Sequence, residues 1–71
     1  MTVEIASDLV ANVATVGVSV GQKVKPGDEV ALLESMKMEI PVLAEDSGTV
    51  TAVKVVPGDV IQEGDVIVVL D

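Results

Sequence analysis

Residues 13–30 read VATVGVSVGQKVKPGDEV, and residues 50–67 read VTAVKVVPGDVIQEGDVI. Shifted by 37 positions, the two stretches superpose: Val13, Val16, Val18 and Gly21 fall on Val50, Val53, Val55 and Gly58, and Gly27-Asp28 falls on Gly64-Asp65. Leu33 then falls on Leu70, which makes seven identities between residues 13–34 and 50–71. Val24 opposite Ile61 and Val30 opposite Ile67 keep the apolar character without identity. Self-similarity at a fixed offset marks a chain built twice from one unit. Matching valines count for little in so valine-rich a chain, so the paired glycines carry the weight.

Each half has the same plan. A valine-rich strand, at 12–18 and again at 49–56, runs into a glycine turn, a short apolar segment follows around Val24 or Ile61, and Pro26-Gly27-Asp28 or Glu63-Gly64-Asp65 turns the chain again. Glycine supplies positive φ at such turns, and aspartate bonds back to nearby backbone. A closing strand spans 29–34 or 66–70, and further strands are expected at 3–6 and 38–43. β-Branched side chains suit pleated sheets, and nothing repeats at i, i+3, i+4, i+7 over a helix's length. The expected fold is all-β: one domain over residues 1–71, a flattened barrel or sandwich of two four-stranded antiparallel sheets related by a pseudo-two-fold axis. The valines of each long strand step by three and then by two, which strict alternation cannot place on one face, so a bulge is expected in each. Two-fold-related halves also put the middle of the chain at one end of the molecule and Met1 and Asp71 at the other.

Composition narrows the function. With 71 residues the core is near the lower limit for independent folding, and without cysteine or histidine neither disulfides nor the commonest zinc ligands can reinforce it. Twelve acidic residues against four lysines give a net charge of −8, and no residue is aromatic. That balance argues against nucleic acid and anionic membrane surfaces and favours basic protein partners. Glu4 and Asp8 interrupt the first apolar residues, unlike a signal peptide, and no apolar run approaches a membrane span. A cytoplasmic monomer is expected.

Midway between the halves lies Glu34-Ser35-Met36-Lys37-Met38-Glu39. Lys37 is the one lysine expected at a hairpin tip; Lys23 and Lys25 flank a turn, and Lys54 interrupts an apolar strand where it faces solvent. Here the chain resembles the biotinyl/lipoyl attachment domain family. That family places its biotin-accepting lysine in Met-Lys-Met, after a small residue and a glutamate and before a carboxylate. Gly21, Gly27, Asp28, Gly48, Gly58, Gly64 and Asp65 match the family's turns. Ser35 stands where alanine is usual, residues 7–11 match the family poorly, and the loop after Val18 is too short for the thumb insertion of some members. The resemblance is therefore to the thumbless biotinyl branch and its small stand-alone members.

The resemblance implies a carrier. Biotin is joined to Lys37 by a biotin protein ligase, with Glu34, Ser35, Met36, Met38 and Glu39 as the recognised surroundings, and the arm then passes between a biotin carboxylase and a carboxyltransferase. A lysine amine attacks an activated carbonyl only as the free base; with two glutamates beside it, deprotonation and alignment are left to the ligase. The chain has no phosphate-binding glycine loop or metal-ligand set and reads as a substrate and carrier, not an enzyme. Two alternatives share the fold: a lipoyl carrier, whose lysine usually sits in Asp-Lys-Ala, and an unmodified structural adaptor, in which long helical hairpins interrupt the module.

Overall fold

The computed structural model describes residues 2–71. Among them the chain forms eight strands and no helix: β1 (Val3–Ala6), β2 (Ala11–Val16), β3 (Lys23–Val24), β4 (Glu29–Ser35), β5 (Met38–Leu43), β6 (Gly48–Val53), β7 (Val60–Ile61) and β8 (Val66–Leu70). They pair into two four-stranded antiparallel sheets, ordered β1-β8-β6-β3 and β5-β4-β2-β7. Moving each strand of the first sheet by 37 residues yields the second in the same order, so the internal repeat is a two-fold relation between the sheets.

Hydrogen bonds across the two halves come in matched pairs. Gly21 N–H donates to the Val50 carbonyl and Gly58 N–H to the Val13 carbonyl, each at 2.8 Å. Val13 N–H donates to the Asp59 carbonyl and Val50 N–H to the Gln22 carbonyl, again both at 2.8 Å. A half that folded alone would leave these donors and acceptors open, so the sheets complete one another. Between them lies a wholly aliphatic core in which Val30, Ala31, Leu33, Ile67 and Val68 are fully buried. Apolar burial of this kind is worth about 1.5–3 kcal/mol per large side chain.

The valine spacing resolves as the bulges anticipated it. Register shifts fall between Val13 and Thr15 in β2 and between Val50 and Ala52 in β6. Val13 and Val50 are therefore buried, Val16 and Val53 pack half-buried against the core, and Val18 and Val55 are buried as the chain leaves the sheet. Both strands end earlier than expected, at Val16 and Val53. Tight turns take over: Gln22 N–H donates to the Ser19 carbonyl and Asp59 N–H to the Val56 carbonyl, each at 3.1 Å. The Gln22 and Asp59 side chains accept the N–H of Ser19 and Val56 in return.

The second turn of each half is held the same way. Asp28 accepts the Lys25 N–H at 3.0 Å and Asp65 the Gln62 N–H at 2.8 Å. Gly27 and Gly64 have φ of 94° and 92°, a region L side chains rarely adopt. Gly48, expected in a turn, instead opens β6 opposite Val24; a Cβ there would lie 3.2 Å from both the Asp71 carbonyl and the Leu70 Cβ, so close approach is what requires glycine. The atypical segment 7–11 is braced by Ser7, which is buried; its Oγ donates to the Leu9 carbonyl at 2.6 Å and accepts the Leu9 N–H, and β2 starts at Ala11.

The register also places the end of the chain. Asp71 and Thr49 exchange backbone hydrogen bonds, and Ala44, a short loop away, bonds to Asp28 at the root of β4. From that root β4 runs seven residues to Ser35, roughly 20 Å at strand rise. Asp71 thus lies at the root side of the β4–β5 hairpin, away from its tip, in a molecule measuring 33 × 18 × 17 Å. Met1 lies outside the described residues.

Gly27→Val is expected to lower unfolding stability by more than about 1 kcal/mol through backbone strain alone, because nothing within 4 Å of the added Cβ would clash. Urea denaturation checks this, and an unchanged midpoint would show that positive φ is not required there.

Candidate functional site: the hairpin tip

β4 and β5 form a ladder from Glu29↔Leu43 to Ser35↔Met38, which leaves Met36 and Lys37 as a two-residue loop. Both have positive φ, 53° and 64°, the pattern of a type I′ turn, whose twist matches that of the flanking strands. The residues favoured there are asparagine and glycine. Methionine and lysine accept the left-handed region at some energetic cost, and the ladder beneath them offsets it. That ladder is anchored where Leu33, fully buried, faces Ile40 on one side and Val13 on the other.

The turn presents its side chains outward. Met36 is 90 % exposed and Met38 60 %, so neither packs back as apolar filler. Lys37 is exposed, and among the described residues no hydrogen bond or ion pair engages its Nζ. Ser35 is half-buried at the end of the sheet. The other lysines stand off the hairpin: Lys23 in β3, Lys25 in the turn after it, Lys54 just beyond β6.

Below the turn, Glu34 and Glu39 are directly opposed in the register. The row across the sheet continues through Asn12 to Val60, all four side chains exposed and none cationic. Like charges facing each other across a pair of strands are destabilising. This opposition was available from the sequence, because a two-residue loop at 36–37 forces 34 to face 39. The positive φ of Met36 and Lys37 had no such signal. Of the remaining residues singled out in the sequence, Gly21, Gly27, Asp28, Gly58, Gly64 and Asp65 serve the four turns away from the tip, and the structure does not bring them to it.

Two sheets related by a two-fold axis, with one hairpin turn carried at the end remote from Asp71, are the architecture of an attachment domain. The chain belongs to the biotin/lipoyl attachment family: the family model described as "Biotin-requiring enzyme" matches residues 2–70. It is 51% identical over 70 residues to the biotinylated protein TB7.3 homolog of Mycobacterium leprae, covering 99% of each chain. It is 49% identical over 70 residues to the biotin/lipoyl attachment protein of Bacillus subtilis, covering 99% of this chain and 93% of that one. Among solved structures, the urea carboxylase of Kluyveromyces lactis superposes with a TM-score of 0.92 at 30% identity, over 100% of this chain and 6% of that much longer one.

Two substitutions probe the tip. Glu39→Gln is expected to raise stability by a few tenths of a kcal/mol at low ionic strength, and the gain should vanish in about 1 M salt, where screening reaches only a few ångströms. A gain that survives salt would mean the two carboxylates do not repel. Met36→Asn should stabilise by up to about 1 kcal/mol, since asparagine tolerates the left-handed region better. Thermal melts measure both, and a destabilised Met36→Asn would contradict the strain assigned to this turn.

Proposed function

We propose that this chain is a biotin carrier whose cargo is joined in amide linkage to Nζ of Lys37. One observation carries the site assignment: Lys37 alone among the lysines stands in the exposed two-residue turn at the tip. The residues there suit the group. An exposed primary amine with no competing partner is open to acylation, and a backbone locked by a six-pair ladder presents it in one direction. The close relatives named as biotinylated or attachment proteins, and the match to part of a carboxylase, support the same reading. No observation favours a lipoyl cargo or an unmodified adaptor.

In this reading a biotin protein ligase supplies biotin as its acyl-adenylate and takes up the proton that Nζ must lose; the amide bond forms as the bond from the acyl carbon to the adenylate phosphate oxygen breaks, and the adenylate is the leaving group. Bound biotin supplies a ring nitrogen able to carry a carboxyl group. The chain's own part is to position. Met36 and Met38 offer the enzymes an apolar contact, and Glu34 and Glu39 remain as the nearest charges once acylation removes that of Lys37. The partners proposed are a biotin carboxylase that loads the carboxyl group and a carboxyltransferase that unloads it. The chain itself acts as substrate and carrier rather than catalyst, contributing effective concentration.

Incubation with a biotin protein ligase, ATP and biotin, followed by tandem mass spectrometry, should place a single label on Lys37. Lys37→Ala should take up none yet melt within about 0.5 kcal/mol of the parent, since alanine at this φ of 64° keeps the same left-handed backbone and the exposed lysine side chain has no bonded partner among the described residues to lose. Label on Lys23, Lys25 or Lys54 would overturn the assignment. The ligase association rate should also fall as salt rises, because Glu34 and Glu39 steer encounter with a basic site; a flat salt profile would remove their steering role.

A further inference from the structure

Beside the hairpin, the two-fold relation brings together the edge strands of the two sheets. β1 borders one sheet and β5 the other, and a groove of about 550 Å³ runs between them. Its apolar lining is Val3 and Ile5 from β1 and Ile40 and Val42 from β5, half-buried against the core. Leu43, 48 % exposed, stands at its mouth. Among the described residues its charged rim is of one sign: Glu4, Asp8, Glu45 and Asp46 are all exposed, and no lysine lines it. The two edges differ. β5 carries Pro41, which blunts an edge by removing a donor. β1, reading Val3-Glu4-Ile5-Ala6, has no proline and pairs on one side only, with β8.

We propose that this groove docks an extended basic segment of a partner protein, added as a further strand along the free edge of β1. Strand addition draws affinity from main-chain hydrogen bonds and specificity from alternate side chains. Alternate aliphatic side chains of the segment rest on Val3, Ile5, Ile40 and Val42, and the lysines or arginines between them meet Glu4, Asp8, Glu45 and Asp46. Charge decides against a second copy of this chain as the occupant, since each copy carries −8 and would bring its own acidic rim. The groove starts at Ile40, three residues from Lys37, so a partner held there is anchored beside the tip without covering it. The proposal does not depend on which group Lys37 carries.

The test uses the full chain labelled with ¹⁵N and, as probe, a capped heptapeptide alternating lysine and valine, with a glutamate-for-lysine analogue as control. Amide shifts confined to residues 3–8 and 40–46, with no binding by the analogue, support the proposal. Glu45→Lys should weaken binding by about fivefold or more and Glu63→Lys, which makes the same change of charge off the groove, by less than about twofold. Equal losses from the two variants, shifts centred on the tip or scattered over the surface, or no binding at millimolar peptide would overturn it. Concentration-dependent self-association through the same amides would replace the basic segment with a second copy and overturn the choice of occupant.

Discussion

The structure depends on backbone hydrogen bonds that each half makes only with the other. Gly21 and Gly58 reach across to Val50 and Val13, while Val13 and Val50 donate to Asp59 and Gln22. Val13 and Val50 are buried, and leaving their backbone groups unpaired there is costly, so neither half is a folding unit by itself. With no aromatic residue, disulfide or histidine to reinforce it, the chain relies on this mutual completion and on tight valine, leucine and isoleucine packing. The bulges in β2 and β6 serve the same end, turning Val16 and Val53 toward the core that Val13 and Val50 enter, where a regular strand would have exposed them.

That frame separates rigidity from mobility. The six-pair ladder of β4 and β5 ends in a strained turn, and everything beyond the Lys37 Cα is a flexible side chain in solvent. In the proposed function, rigid backbone fixes where an acylating enzyme would find the amine, and a long side chain with its cargo would supply the reach. The opposed Glu34 and Glu39 fit this division. Facing each other, they weaken the hairpin slightly, and under the proposed function they are the charges that a basic partner site would meet. Placing Asp71 at the opposite end leaves the tip clear.

Much of this was legible in the amino-acid sequence because the repeat carries paired glycines. Gly21/Gly58 and Gly27/Gly64 mark the turns, and the uneven valine spacing marks the bulges. The ends of β2 and β6 were read too long, because Val18 and Val55 are core residues that lie past the last ladder pair, and apolar pattern reports burial rather than pairing. Gly48 looked like a turn residue because glycine usually is one; its actual constraint, the Asp71 carbonyl and Leu70 side chain beside it, is a contact between residues 22 and 23 positions apart that no local pattern announces. The left-handed conformation of Met36 and Lys37 was hidden for a related reason, since neither residue type prefers it and the ladder imposes it. The groove between β1 and β5 has no local signature either, because it exists only where two edge strands distant in the chain meet.

A rigid two-fold frame holds the Met36-Lys37 turn in one backbone conformation. Backbone ¹⁵N relaxation tests it directly. Order parameters at Met36 and Lys37 near those of the strands, about 0.85, are what this structure predicts, and values below about 0.6 at the turn would contradict it.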